Sequence, residues 1–242
     1  MNELIFYIVI LLANIIQGIT GFAGTILAMP FGLMLVGYGV AKPVLNVLGL
    51  LSGIYVFAGN RQHVNRRELV RIAAVMTIGI FAGIGIKLLL DGREGILYIL
   101  LGVFVTALAV RGLVRMYDKR KGAGAAGRGD AFLLLGAGVA HGIFVSGGPL
   151  LISYLTKRID KKEVFRATIS TVWILLNTII LISDICAGLW TVELIRTQLI
   201  SIPFLLGGMF IGGRLYRIMS QHFFMVLTYV LLLISGISLL LK

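Results

Sequence analysis

The chain has 242 residues, of which 59% are hydrophobic and 13% charged, and it carries a formal charge of +12. A soluble domain has about 25% charged residues, so we exclude a soluble enzyme, a disordered chain and a fibrous one. Because strand-like alternation is absent and only 4 residues are proline, helices are favoured over a β-barrel. Basic residues collect in the cytoplasmic loops of membrane proteins, so the charge does not indicate nucleic-acid binding.

Apolar segments account for nearly the whole chain, and two of them are interrupted by glycine. A helix needs about 20 residues to cross a bilayer, and six of the segments suit that length. The first is too long, because its residues would form a helix of ~51 Å, and glycines break it between Gly18 and Gly24. The fifth is broken between Gly142 and Pro149. In chain order the segments are 4–37, 41–58, 69–90, 95–117, 131–155, 165–189, 192–213 and 222–241.

The chain contains an internal repeat. At an offset of 124 residues, Gln17-Gly18 aligns with His141-Gly142, and Lys42 aligns with Arg166. At an offset of 127 residues, Lys87 aligns with Arg214. Fixed-period self-similarity indicates a duplicated structural unit. We predict a first repeat over residues 1–117, a cytoplasmic linker over 118–130 and a second repeat over 131–242.

Loop charge predicts the topology. If segment 131–155 enters the membrane and returns, 17 of the 22 Lys and Arg residues lie on one side, which is then the cytoplasmic side. The linker is then cytoplasmic and the C-terminus outside. Charge does not decide whether 4–37 is also re-entrant or a long tilted span, but its length and its alignment with 131–155 favour a hairpin.

These observations predict an all-α integral membrane protein with about eight hydrophobic segments in two inverted repeats. The first segment of each repeat is a glycine-broken re-entrant hairpin. Inverted repeats with broken helices are typical of secondary transporters, which bind substrate near the bilayer midplane.

The glycine breaks predict a binding site, because irregular backbone inside a membrane must line a cavity or be buried in protein. The free amides at the start of a new helix favour an anion. Polar side chains beside the breaks and inward-facing Asn residues would add hydrogen bonds. The alternative is that the glycines only allow close helix packing. The candidate substrate-binding residues are Gln17, Gly18, Thr20, Gly21, Gly24, Thr25, Asn46, His141, Gly142, Ser146, Gly147, Gly148 and Asn177.

Few acidic residues lie in the segments, and Asp184 is near a segment end. This favours an anionic or neutral substrate over a cation. His141 is interpreted as a neutral hydrogen-bonding group, with proton coupling as the alternative. Lys87 and Arg214 are either guards of opposite mouths or interfacial anchors. We expect no catalytic residues, no metal site and no cofactor, and the single cysteine, Cys186, excludes an internal disulfide.

The two glycine motifs resemble those of the TauE/SafE family, the sulfite-exporter or 4-toluenesulfonate-uptake permeases. The resemblance rests on Gln17-Gly-Ile-Thr-Gly-Phe-Ala-Gly24 with Pro30, and on His141-Gly-Ile-Phe-Val-Ser-Gly-Gly-Pro149. Position 23 is Ala where the family has a denser glycine run, and in the second half the proline directly follows Gly148. The resemblance implies transport of sulfite, sulfonates or other small organic anions across the cytoplasmic membrane.

We therefore expect a secondary transporter that moves a small sulfur-containing or organic anion by alternating access. The alternative is a passive anion channel. A third hypothesis, a membrane-embedded enzyme, finds little support, because no cluster of acid, base and nucleophile is present. The expected partners are the anion and membrane lipid, and not nucleic acid. A coupling ion, proton or sodium, and self-association into a homodimer are left open.

Overall fold

The computed structural model describes residues 2–21, 23–90, 93–117, 129–155, 158–159 and 161–215, with scattered positions from 226 to 241. Within this part of the chain there are nine α-helices and no strand. The helices are α1 (Asn2–Thr20), α2 (Gly24–Val36), α3 (Tyr38–Ala58), α4 (Arg66–Leu89), α5 (Glu94–Tyr117), α6 (Gly129–Phe144), α7 (Gly148–Leu155), α8 (Lys162–Cys186) and α9 (Val192–Leu215).

The expected all-α membrane protein is confirmed. Among the described residues, five helices (α1, α3, α4, α8 and α9) are long and apolar enough to cross a membrane. Large apolar side chains such as Val70, Phe81 and Leu199 are exposed on the outside of the bundle. A helix satisfies its own backbone hydrogen bonds, which lipid cannot do, so this apolar exterior suits a bilayer.

Five of the apolar segments correspond to α3, α4, α5, α8 and α9, with ends that differ by a few residues. Most of segment 222–241 and of linker 118–130 lies outside the described residues. The positions of that last segment that are described pack on α5, where Leu240 and the carbonyl of Gly236 lie against Gly102.

The first and fifth segments each form a helical hairpin. Gly32 of α2 lies against Phe6 near the start of α1, so α2 runs back along α1. In the second hairpin, Gly136 of α6 lies beside Leu150 of α7. The first segment is therefore not one long span. Its first arm, α1, has 19 residues and measures ~28 Å.

The two breaks have the same backbone geometry. Gly21 N–H donates to the carbonyl of Gln17 at 2.6 Å, and Val145 N–H donates to that of His141 at 2.7 Å. Gly21 has a φ of 81° and Val145 a φ of 53°. Each helix thus ends in a residue with left-handed backbone, which closes its last turn and reverses the chain.

The hairpins enter the bundle from opposite ends. At one end, the starts of α4 and α8 meet, where Asn65 N–H donates to Thr168 Oγ1 at 3.0 Å. We call this the Thr168 end. The tip of the first hairpin points toward this end, where Arg166 Nη2 donates to the carbonyl of Gly18 at 3.1 Å. The tip of the second hairpin points toward the other end, where Tyr38 Oη donates to the carbonyl of Ile143. The hairpins therefore pass each other inside the bundle.

The open end of the second hairpin is fastened to α4 by charged groups at the Thr168 end. Arg158 donates to Asp130 Oδ2 at 2.8 Å and to Glu68 Oε1 at 3.4 Å. Tyr154 Oη donates to Glu68 Oε2 at 2.6 Å. The hydrogen bond with Asp130 raises the pKa of Arg158, so the guanidinium stays charged and joins α6 to α4.

Each hairpin packs on a long helix from the other half of the chain, α1 on α9 and α6 on α4. A Cβ added to Gly212 would collide with the carbonyl of Ile15, and one added to Gly83 with that of Val139. Likewise Gly208 lies on Leu11 and Gly79 on Leu135. The two sets of contacts are equivalent: the hairpin residues are 124 positions apart in the chain, and the glycines of the long helices are 129 positions apart. The second offset is two residues larger than the offset of 127 at which Lys87 aligns with Arg214.

Candidate functional site

A small cavity lies where the two hairpin tips pass each other. It is flanked by the middle of α3, at Gly49, and the middle of α8, at Trp173 and Asn177, and it has room for about one water molecule. The cavity therefore lies about halfway along these two helices. Its lining residues are Gln17, Thr25, Ile26, Gly49, His141, Val145, Ser146, Gly148, Trp173 and Asn177.

On the side of the first hairpin, polar side chains cap the new helix. Gln17 Oε1 accepts from Gly24 N–H at 2.7 Å, while its Nε2 donates to Ser52 Oγ at 3.1 Å. Thr20 Oγ1 accepts from Ala23 N–H at 3.2 Å and donates to a carbonyl of its own helix. Because the first amides of a helix have no partner within it, Gln17 and Thr20 serve first as caps of α2. Thr20 does not line the cavity, whereas Thr25 does.

On the side of the second hairpin, His141 and Asn177 form the corresponding pair. His141 Nε2 lies 2.8 Å from Asn177 Oδ1, which accepts a hydrogen bond when Nε2 carries the proton. The imidazole also lies against the indole of Trp173, with ring centroids 5.1 Å apart. Ser146 Oγ donates to the carbonyl of Phe144 at 2.8 Å. His141 is thus held in place by a hydrogen bond and an aromatic contact.

Asn46 contacts the cavity through Asn177. Its Nδ2 donates to the carbonyl of Asn177 at 3.0 Å, and it does not line the cavity. The Nδ2 of Asn177 lies beside Gly49, where an added Cβ would be 2.7 Å from it and 3.5 Å from Thr25 Oγ1. Asn177 therefore presents an amide donor to the cavity.

Several predicted glycines lie in helix contacts and not on the cavity. An added Cβ on Gly18 would lie 3.0 Å from the carbonyl of Met209, and one on Gly142 would collide with Ile80. Gly147 is similarly close to Ala137. For these three, close packing accounts for the absence of a side chain. Gly21 provides the left-handed turn, and Gly24 provides the amide that donates to Gln17. Among the glycines predicted for the site, Gly148 alone lines the cavity.

Sequence reasoning missed four lining residues, Ile26, Gly49, Val145 and Trp173. Gly49 had a detectable signal, since it follows Asn46 by about one helical turn and so shares its face. Ile26 and Val145 are ordinary apolar residues beside the breaks. Trp173 has no sequence feature that separates it from a packing aromatic.

Charged side chains lie near both hairpin tips. Lys42 and Asp184 form a buried ion pair between the start of α3 and the end of α8. We call this the Asp184 end of the bundle. At the Thr168 end, Arg166 holds the tip of the first hairpin. The Lys42–Asp184 pair escaped prediction because its members lie 142 residues apart.

Lys87 and Arg214 differ in their surroundings. Lys87 Nζ lies 5.9 Å from the ring centroid of Tyr38, near the second hairpin tip. Arg214 is exposed and lies 4.5 Å from the ring of Phe210 on its own helix, as expected for an interfacial anchor.

The described residues that line the cavity carry hydrogen-bond donors, and none of them is acidic. The amide of Asn177, the hydroxyl of Thr25 and the first amides of α2 and α7 are groups that bind anion oxygens. Over the described residues, no cluster of three or more His, Cys, Asp or Glu side chains could hold a metal ion. The arrangement suits a small anion.

Comparison with protein families places the chain among membrane transporters. The family model described as sulfite exporter TauE/SafE matches residues 6–239, which is nearly the whole chain. No curated protein and no solved structure matches.

Proposed function

Since the chain belongs to the TauE/SafE family of sulfite exporters, a family of membrane transporters, we propose that it is a secondary transporter of small sulfur-containing or organic anions. The observation that carries this proposal is the cavity between the two chain breaks, halfway along α3 and α8, where none of the described lining residues is acidic. Transporters with broken helices bind their substrates in this position.

The chemistry of the lining supports an oxyanion. Amide and hydroxyl groups donate hydrogen bonds and replace the water around a sulfite or sulfonate group. The first amides of α2 and α7 add positive partial charge at Thr25 and Gly148. The indole of Trp173 and the side chain of Ile26 would contact an apolar substituent, such as the carbon chain of a sulfonate.

The size of the cavity supports a carrier. With room for about one water molecule, it is too small for sulfite, so the hairpins or their partner helices must move apart to admit substrate. The matched contacts of α1 on α9 and α6 on α4 support an inverted repeat. Because two such units offer equivalent motions toward opposite sides, we propose alternating access.

We also propose the cytoplasmic membrane as the location, with the Thr168 end inside. Arg66, Arg158 and Arg166 lie at that end, and basic residues favour the cytoplasmic side. The Lys42–Asp184 pair then faces the outside.

Transport by purified protein in liposomes tests the proposal. We expect labelled sulfite or methanesulfonate to enter with saturation, and excess unlabelled anion inside to speed that entry. A carboxylate of similar size serves as the specificity control. Exchange of the carboxylate alone would discard sulfur anions as the substrate class. Flux that rises linearly with concentration and shows large unitary conductance would support an anion channel instead.

A further inference from the structure

The buried ion pair at the Asp184 end has a feature that the anion site does not explain. Lys42 and Asp184 are 6% and 3% exposed. Lys42 Nζ contacts Asp184 Oδ1, but Asp184 Oδ2 is buried without a hydrogen-bond partner among the described residues. An ionised carboxylate accepts through both oxygens, so this pair is only half satisfied. A buried, half-satisfied charge is costly to keep, and ionisable groups inside membranes are commonly functional.

The ion pair lies next to moving parts of the proposed cycle. Lys42 is four residues along α3 from Tyr38, whose hydroxyl holds the tip of the second hairpin at Ile143. Asp184 lies two turns along α8 from Asn177, which binds His141 in the cavity. A change in charge at the pair therefore acts on the hairpin tip and on the helix that carries the binding site.

The other ionisable groups near Asp184 come from the elements that pack around it. Tyr38 of α3 and Lys87 of α4 are within electrostatic range of the carboxylate, and Lys42 is within range of His141 on α6. The turn formed by residues 61–63 also packs on α8, but at the Thr168 end. Among the described groups within electrostatic range of the pair, Asp184 is the one carboxylate.

The two ends of the path differ at equivalent positions. Lys42 aligns with Arg166, and Asp184 aligns with Asn60, at the offset of 124 residues. Asn60 carries no charge, and its Nδ2 donates to the carbonyl of Val56 at 2.9 Å. A cation thus lies beside each hairpin tip, but this aligned carboxylate occurs only at the Asp184 end.

We propose that Asp184 is the proton-binding site that couples anion transport to proton movement, with Lys42 as the cation released to receive the anion. The inference rests on the proposed function and adds its coupling ion. A proton from solvent at the Asp184 end forms an O–H bond at Oδ2, which neutralises the carboxylate and breaks its ion pair with Lys42. An oxygen of the incoming anion then takes the place of Oδ1 at the ammonium group. The local charge is unchanged, so one proton enters with one negative charge. When the anion leaves on the other side of the membrane, Asp184 releases the proton to that side and its carboxylate pairs with Lys42 again.

Proton uptake by the unaltered protein is the first test. Binding of methanesulfonate, which does not titrate near neutral pH, is measured by calorimetry in buffers with different ionisation enthalpies. We expect about one proton bound with each anion, which follows from the charge balance at Lys42. Anion binding with no proton uptake would overturn the proposal, whatever the variants do.

Transport by the Asp184→Asn variant is the second test. In liposomes with a pH gradient of about one unit, the unaltered protein should accumulate methanesulfonate about tenfold, since that gradient is worth about 1.4 kcal/mol. Asp184→Asn should still exchange anion for anion, but its accumulation ratio should fall to about 1. The control is Glu193→Gln, an exposed acid at the start of α9, which should accumulate normally.

The results separate the two proposals. Gradient-driven accumulation by Asp184→Asn would overturn the coupling site while the transporter stands. If Asp184→Asn fails to fold because Lys42 is left buried, the proton uptake of the unaltered protein decides the coupling site by itself. If the unaltered protein exchanges no anion at all, the proposed function itself is wrong, and the coupling site falls with it.

Discussion

Gly21 and Val145 occupy equivalent positions at the two chain breaks, and both have left-handed backbone, with φ of 81° and 53°. Such a conformation costs a residue with a side chain about 1–2 kcal/mol, and glycine avoids that cost. A β-branched residue there is uncommon. The second break therefore stores strain that the first does not.

Exchanging these two residue types should give unequal results. Gly21→Val has room, since the nearest atom to an added Cβ is Arg166 Cγ at 3.7 Å, but it should lower the free energy of unfolding by about 1–2 kcal/mol through backbone strain. Val145→Gly relieves strain while losing a buried side chain, so its stability should change by less than about 1 kcal/mol. Denaturation in detergent measures both, and equal losses in the two variants would contradict the strain argument.

Gly49 gives the most direct test of the cavity. Gly49→Ala places a methyl group 2.7 Å from Asn177 Nδ2 and against Thr25 Oγ1, so it should lower anion uptake by about tenfold or more, the effect of overpacking by 1–3 kcal/mol. Gly39→Ala, on the same helix with no atom within 4 Å of the added Cβ, should transport normally. Similar uptake by the two variants would place the anion elsewhere.

His141 should be replaceable by glutamine and not by phenylalanine. Gln17 precedes the first break at the position equivalent to His141 and also donates to a long helix, at Ser52. His141→Gln should keep a donor for Asn177 and most of the uptake. His141→Phe leaves Asn177 Oδ1 buried without a partner, which should cost about 1–3 kcal/mol of stability. Thermal unfolding and uptake are measured together, and equal behaviour of the two variants would argue against the hydrogen bond.

The Lys42–Asp184 pair should show strong coupling in stability. Lys42→Met leaves a buried carboxylate without its cation and should cost about 3–5 kcal/mol, whereas Lys42→Met/Asp184→Leu should recover most of that loss. Lys161→Met removes an exposed lysine at the start of α8, the opposite end of that helix from Asp184, and serves as the control. Additive effects of the two changes in the pair, measured by unfolding in detergent, would show that the ion pair contributes little.

The proposed topology can be read from the cysteine at the end of α8. Cys186 is exposed and lies two residues beyond Asp184, so a membrane-impermeant maleimide should label it in intact cells. In a Cys186→Ser background, Gln62→Cys, in the exposed turn after α3, should react only after the membrane is opened. The opposite pattern would invert the topology.

The hairpins could be predicted because two independent features agreed. Segment 4–37 was too long for one span, and its glycines aligned with those of segment 131–155. The length of α1 could not be predicted, because apolar residues before Gly18 fit a short arm and a long one equally. Their extent depends on contact with α9, far away in the chain.

The site could be predicted only in outline. Gln17, Thr25, His141, Ser146, Gly148 and Asn177 come together around one cavity, as their positions beside the breaks and on segment 165–189 indicated. Gly18 and Gly142 look the same in sequence as glycines that line a cavity, yet they allow helix contacts. The difference lies in the facing helix, which has no signature near the glycine itself.

The packing of α1 on α9 and of α6 on α4 has a consequence for biosynthesis. The first hairpin emerges from the ribosome long before α9, which begins at Val192. It is therefore in the membrane for some time before α9 is present to pack on it. Its glycines, Gly18 above all, then face lipid or a chaperone until Gly212 arrives. Each half of the chain therefore completes the other, and two halves made separately should accumulate only when they are produced together.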